Sequence, residues 1–177
     1  MRQITQSVSP MSNKGRNTYV MEQITQALLN LLHANPLDHI SISALCDAAG
    51  VGRASFYRNF KTKENILKAY INELFCSWTD EYSKTDNQPL NELIRSIFTH
   101  FEKHHAFYSL LHKRHLTYLL KDVVIEICGP KPEHSQIEAY SRAFVAYSLY
   151  GWIEVWFQRG MQESADELAN LFKIQGS

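Results

Sequence analysis

Residues 40–67 read ISISALCDAAGVGRASFYRNFKTKENIL, and this stretch decides the fold. Ser41 is placed to cap a short helix holding Leu45, Cys46 and Ala49, which Gly50 ends. After Val51 and Gly52 a second short helix opens, with Phe56 and Phe60 four apart on one face. Thr62 then caps a longer helix with Ile66, Leu67, Tyr70, Ile71, Leu74, Phe75 and Trp78 facing inward. Upstream, Val20, Ile24, Ala27, Leu28, Leu31 and Leu32 repeat at helical spacing until Asn35-Pro36 closes the run. Two short helices joined by a tight glycine turn, behind a longer helix, make a helix-turn-helix.

Downstream the pattern stays helical. A polar break over Ser83 to Gln88 precedes a stripe of Leu90, Leu93, Ile94, Ile97, Phe98 and Phe101. A second stripe, Leu116, Leu119, Leu120, Val123, Val124 and Ile127, is closed by Gly129-Pro130. The spacing then predicts one long helix from Glu133 to Gly160, roughly 40 Å at ~1.5 Å per residue. It carries Ile137, Tyr140, Phe144, Tyr147, Trp152, Ile153, Trp156 and Phe157. Ser164 caps a last helix with Leu168, Leu171 and Phe172. No β-alternation interrupts this, so the expected class is all-α.

Composition agrees. The chain has 177 residues, is 45% hydrophobic, and its 18 basic side chains balance 18 acidic ones. That length is enough to bury a core without staples, and neutrality excludes a polycation that coats nucleic acid indiscriminately. The balance is a sum of unlike parts. Residues 1–75 hold eight Lys and Arg against five Asp and Glu, while residues 76–177 hold ten against thirteen. The basic front is where a polyanion is expected to meet the chain. The N-terminus lacks an apolar targeting core, and the apolar run Ala143–Phe157 is too short to span a bilayer. Cys46, Cys76 and Cys128 form no CxxC pair and each falls within an apolar pattern. They read as buried, reduced thiols of a cytoplasmic protein without a membrane partner.

The 40–67 stretch resembles the DNA-binding region of the tetracycline-repressor (TetR/AcrR) family. The likeness is carried by the Ala48-Ala49-Gly50-Val51 turn, the Phe56-Tyr57…Phe60 helix and Lys61-Thr62-Lys63-Glu64 opening the next helix. It covers about residues 17–75; a Gly151-Trp152…Trp156…Gly160-Met161 pattern is similar to one common C-terminal half of the family. The organisation expected is a polar arm over 1–16, a helix-turn-helix domain over 17–75, and an effector-binding and dimerisation domain over 76–177. Arg2, Lys14 and Arg16 on the arm are candidate backbone contacts.

A helix N-terminus at Ser41 offers free amides and a positive dipole end to a phosphate. The second short helix is the part that enters the major groove. There Arg53 is the best base reader, because a guanidinium reaches guanine O6 and N7 together. Gly52, Ala54 and Ser55 sit in or beside that first turn, and Tyr57, Arg58, Asn59 and Lys61 extend the exposed face. The resemblance implies phosphate contacts for Tyr57 and for Lys63. Two departures stand out: Gly52 occupies a position where the family usually has a Ser or Thr cap, and Cys46 replaces a more usual Ala.

One such unit makes too small an interface for operator affinity, so a homodimer on a palindromic DNA operator is expected. By resemblance the dimer forms through the last two helices, with Phe144, Trp152, Ile153, Trp156, Phe157, Leu168, Leu171 and Phe172 as candidates. The resemblance also implies a small-molecule effector in the C-terminal half, with Tyr118, Tyr147, Trp152 and Trp156 as candidate liners. The reading is a transcriptional regulator, most simply a repressor, with no cofactor and no catalytic constellation. Two alternatives are carried. One is a TetR-like activator that depends on a protein partner. The other is a metal-responsive regulator using the histidines between His100 and His115, of which His100 and His104 share a helical face at i, i+4.

Overall fold

The computed structural model describes residues 13–82 and 89–175. The sequence pattern is realised as helices throughout, with no strand among the described residues. They are α1 (Asn13–Ala34), a 3₁₀ turn (Leu37–His39), α2 (Ile42–Ala49), α3 (Arg53–Asn59) and α4 (Lys63–Tyr82). Then come α5 (Leu90–Lys103), α6 (His105–Lys113), α7 (Tyr118–Cys128), α8 (Gln136–Gln158) and α9 (Ala165–Gln175). The chain divides into two compact units, 1–67 and 68–177, so the first ends eight residues before the expected boundary at 75. The first turn of α4 belongs to the first unit and the rest of that helix to the second.

In the first unit α1 packs on α2 and α3 around Ile24, Leu28, Leu32, Leu45, Phe56 and Ile66, all fully buried. Helix α1 begins at Asn13, so Lys14 and Arg16 lie on its first turn rather than on an arm; Arg2 lies outside the described residues. Phe60 is buried as expected, but it stands just past α3 in extended backbone, where its amide bonds the Phe56 carbonyl. The capping pattern at Thr62 is reciprocal: the Thr62 amide donates to Asn65 Oδ1, and the Asn65 amide to Thr62 Oγ1.

The second unit builds its core from α4 through α9. Phe98, Phe101, Tyr108 and Trp156 form an aromatic cluster, with Phe101 and Tyr108 centroids 4.5 Å apart. Such edge-to-face pairs add to their area burial. Helix α9 is tied to α5 through its first two residues. Arg95 pairs with Asp166, and Glu102 accepts the Ala165 amide at 2.8 Å. Ser164 and Glu167 close a capping box in front of it.

Three sequence expectations differ from the structure. Helix α8 starts at Gln136, because Ser135 caps it and residues 131–134 make a turn, so it is shorter than the 133–160 span. The histidine segment is two helices, α5 and α6, broken at His104. Cys46 is buried, but Cys76 is exposed on the α4 face it shares with Glu73 and Asp80, and Cys128 is half-buried at the end of α7. The expected break at Ser83–Gln88 lies outside the described residues. Among the described residues no helix is long and apolar enough to cross a membrane.

Candidate nucleic-acid interface

The presentation of α3 begins with the turn before it. Gly50 adopts a left-handed backbone (φ 65°) that ends α2, and the Val51 amide returns to the Cys46 carbonyl. That conformation is strained for any residue carrying a Cβ. The chain then re-enters a helix through Gly52, in extended backbone, whose carbonyl accepts the Ser55 and Phe56 amides. Gly52 gives α3 no side-chain cap, and an added Cβ there would meet open space.

Phe56 anchors α3 to the first core, and Tyr57 stands edge-on to it with centroids 5.2 Å apart. That contact does not bury Tyr57, which remains 59% exposed. Arg53, Ala54 and Arg58 are exposed along the same short helix, and Lys61 just after it. An exposed face of two guanidiniums, a phenol and an ammonium, backed by a buried aromatic, suits phosphate oxygens and base edges. Ser55 is half-buried. Asn59 is half-buried too, and its side-chain amide donates to the Ser55 carbonyl at 2.8 Å, which holds it back along α3.

Ser41 is exposed at the N-terminus of α2, and its Oγ accepts the Ala44 amide at 3.0 Å. That bond uses only an oxygen lone pair, so the Ser41 hydroxyl hydrogen is available to donate to a phosphate. Lys63, for which the resemblance implies a phosphate contact, is engaged within the chain. Its ammonium donates to the Leu37 carbonyl at 2.5 Å and the Ile40 carbonyl at 2.6 Å. The Leu37 carbonyl already accepts the Ile40 amide within the 3₁₀ turn, so Lys63 adds a second donor there and supplies one to the Ile40 carbonyl. It therefore fixes the loop that leads into α2. A sequence signal was present in Pro36, which prevents the preceding helix from continuing, but nothing local marked Lys63 as the partner.

In the second unit the expected effector and dimer residues separate by burial. Ile153, Trp156, Phe157 and Leu168 are buried within the single chain, and the Trp156 indole donates to the Glu163 carbonyl. They are core residues, because α5 and α9 close over that side of α8. Tyr118 is exposed, as are Phe144, Tyr147 and Leu171, whereas Trp152 and Phe172 are half-buried and stack edge-on. Sequence reasoning missed Ile137, Tyr140, Val155 and Ile174, which are exposed on the same two helices. Periodicity gave no signal for them, because α8 is apolar nearly all round. Trp152 separates two apolar cavities. One, of about 310 Å³, is walled by Leu93, Ile94, Phe144, Leu149 and Phe172; the other, of about 460 Å³, by Val155, Trp156 and Leu171.

The histidines do unrelated things. His100 is buried with its Nε2 on the Tyr108 hydroxyl, and the His104 ring lies 5.0 Å from it. His112 stacks on Phe157, and His115 is exposed in a left-handed turn. Among the described residues no three His, Cys, Asp or Glu side chains gather into a metal-binding group.

Residues 24–70 match the family described as bacterial regulatory proteins, tetR family. Residues 88–174 match the family described as transcriptional regulator C-terminal region. The HTH-type transcriptional regulator YxbF of Bacillus subtilis is 24% identical in a 159-residue alignment that covers 83% of this chain and 42% of that protein. The chain thus spans less than half of that relative's length. Lin0861 of Listeria innocua superposes with a TM-score of 0.70 at 18% identity, over 95% of this chain and 94% of that one. A TetR transcriptional regulator of Streptococcus agalactiae superposes with a TM-score of 0.59 at 18% identity, over 93% of this chain and 97% of that one. At these identities the two structures share the fold.

Proposed function

The chain belongs to the tetR family of bacterial regulatory proteins, and we propose that it acts as a homodimer reading a pseudo-palindromic operator. In this reading it represses transcription until a small-molecule effector releases it from DNA. The observation that carries the reading is the exposed α3 face of Arg53, Tyr57 and Arg58 over a buried Phe56. A cationic and aromatic surface on a short, well-anchored helix fits the major groove. The Ser41 end of α2 supplies a second point for the backbone phosphates.

Homodimerisation is supported by the apolar stripe of Ile137, Tyr140, Phe144, Tyr147 and Val155 on α8, with Leu171 and Ile174 on α9. Large apolar side chains gathered on one face mark an interaction surface. Two copies joined there double the reading heads, which supplies the affinity that one head lacks. Release by an effector requires a ligand that prefers one arrangement of the two heads. The cavities beside Trp152 are the apolar volumes available for such coupling.

The test is a competition binding assay on the DNA upstream of its own coding region. Expected are a protected palindrome, two chains per site, and affinity that falls steeply as salt rises. Absent or salt-insensitive binding overturns the reading in favour of a regulator that works through a protein partner.

A further inference from the structure

Besides the apolar stripe of Ile94, Ile97, Phe98 and Phe101, α5 carries a polar one. Side chains at positions 92, 95–96, 99–100 and 103–104 line a cleft of about 240 Å³, with Leu74, Ser77 and Trp78 of α4 opposite. Trp78 is buried, and its indole donates to Ser96 Oγ across the cleft at 2.8 Å. Charge is sorted along this cleft. At the start of α5, Glu92 is committed to Arg95, which also holds Asp166. At the other end stand Lys103 and His104. His100 lies behind them, its ring 5.0 Å from that of His104 and fixed by the bond to Tyr108. Among the described residues neither Lys103 nor His104 has an ion pair or a side-chain hydrogen bond. The adjacent carboxylate, Glu102, is engaged elsewhere, on the Ala165 amide. Burial first, then the Lys103 charge, holds His104 below the usual histidine range. Basic groups drawn together and partly out of water carry a cost that a counter-charge relieves.

We propose that this end of the α4–α5 cleft binds the anionic group of a small molecule, a carboxylate or a tetrahedral oxyanion, through Lys103 and His104. The site is separate from both Trp152 cavities and depends on neither the DNA-binding nor the dimer reading. The side chains present suit an anion rather than a metal ion. The Lys103 ammonium repels a cation, and among the described residues no third ligand joins the two histidines. Charge-assisted donors are the strong partners of carboxylate and oxyanion oxygens. The remainder of such a molecule lies toward Leu74 and Ser77 on the α4 wall. Binding draws a proton onto His104, because an opposite charge favours the protonated ring. The titratable groups around it are Lys103, His100, Tyr108 on α6 and, on the α4 wall, Glu81. Glu81 stands two turns beyond Leu74, roughly 10 Å along α4, at the end that Glu92 occupies. His100, pushed down to about 4 by burial and by the His104 and Lys103 charges, stays neutral. Anion affinity therefore rises as pH falls through the histidine range.

The test titrates the full chain with sodium sulfate and, separately, sodium acetate, at ionic strength held constant with chloride. Calorimetry reads binding, and the ring resonances of His104 read its protonation. Expected are saturable binding of one anion per chain and a His104 titration displaced to higher pH when the anion is bound. Sulfate keeps its charge throughout, so its Kd is expected to fall at least about threefold between about pH 8 and about pH 6 through the protein alone. Lys103→Gln and His104→Gln are each expected to raise Kd about tenfold, the loss of one hydrogen bond to a charged group. His104→Gln also removes the pH dependence, whereas Lys113→Gln, exposed on α6 outside the cleft, changes nothing. Tighter binding of sulfate assigns the site to tetrahedral oxyanions, and tighter binding of acetate assigns it to carboxylates. No saturable binding of either anion overturns the proposal. So does binding that is equal in the parent, Lys103→Gln and His104→Gln, or a His104 titration that neither anion moves.

Discussion

His100 Nε2 and the Tyr108 hydroxyl lie 2.8 Å apart, and both side chains are buried in the C-terminal unit. Burial, reinforced by the neighbouring His104 and Lys103 charges, pushes His100 down to about 4. The same burial pushes the Tyr108 hydroxyl far up, so the pair is neutral over the whole working range.

That pair makes stability depend on pH. An unfolded histidine takes up its proton near 6.5 while the folded one resists until about 4. The folded state is therefore favoured in full above about pH 6.5, and the advantage is lost as pH falls toward 4. From pH 7 to pH 5 the loss is expected to be about 2 kcal/mol. Urea unfolding at the two pH values measures it, and His100→Gln is expected to flatten the dependence. A His100→Gln protein with the same pH slope as the parent contradicts this account.

Lys63 offers a choice between two roles with different readouts. As the clamp on the Leu37 and Ile40 carbonyls, its replacement by Met is expected to cost about 1.5–3 kcal/mol of stability, the range for hydrogen bonds to a charged group. As a phosphate contact it would instead lower the salt slope of DNA binding by about one unit. The geometry predicts the first result, read by urea titration. An unchanged midpoint with a shallower salt slope returns Lys63 to the phosphate.

Gly52 is a glycine that the backbone does not require. Its φ of −75° and ψ of 149° are those of an ordinary cap, and the space around it is open. Gly52→Ser is expected to stabilise the chain by a few tenths to about 1 kcal/mol, by capping α3 and narrowing the unfolded ensemble. A lower urea midpoint would show that the site is more crowded than its geometry says.

Arg53 and Arg58 are both exposed on α3 but sit at opposite ends of it. Arg53→Ala is expected to lose about 1–3 kcal/mol of operator binding and to relax one base position. Arg58→Ala, in the last turn of α3, is expected to weaken all sequences about equally and to reduce the salt slope by about one. Selection of binding sites from a randomised pool separates the two patterns; identical selected sites for Arg53→Ala and the parent would remove Arg53 as the base reader.

The sequence by itself determined the helices of the reading head, their caps and their turn. Each depends on residues within about four positions of one another: Ser41 on Ala44, Gly50 on Cys46, Thr62 on Asn65. It also determined the basic face of α3, because Phe56 marks the buried side and the charges fall opposite. Tertiary structure alone decided where Lys63 points, 23 and 26 residues from the carbonyls it holds. It decided that His100 pairs with Tyr108 across the break at His104 rather than joining a metal set. It decided, too, which aromatics of α8 are core and which are surface. That helix is apolar nearly all round, so periodicity could not tell its faces apart. Burial was settled by α5 and α9, which cover Ile153, Trp156 and Phe157 and leave Tyr140, Phe144 and Tyr147 outside.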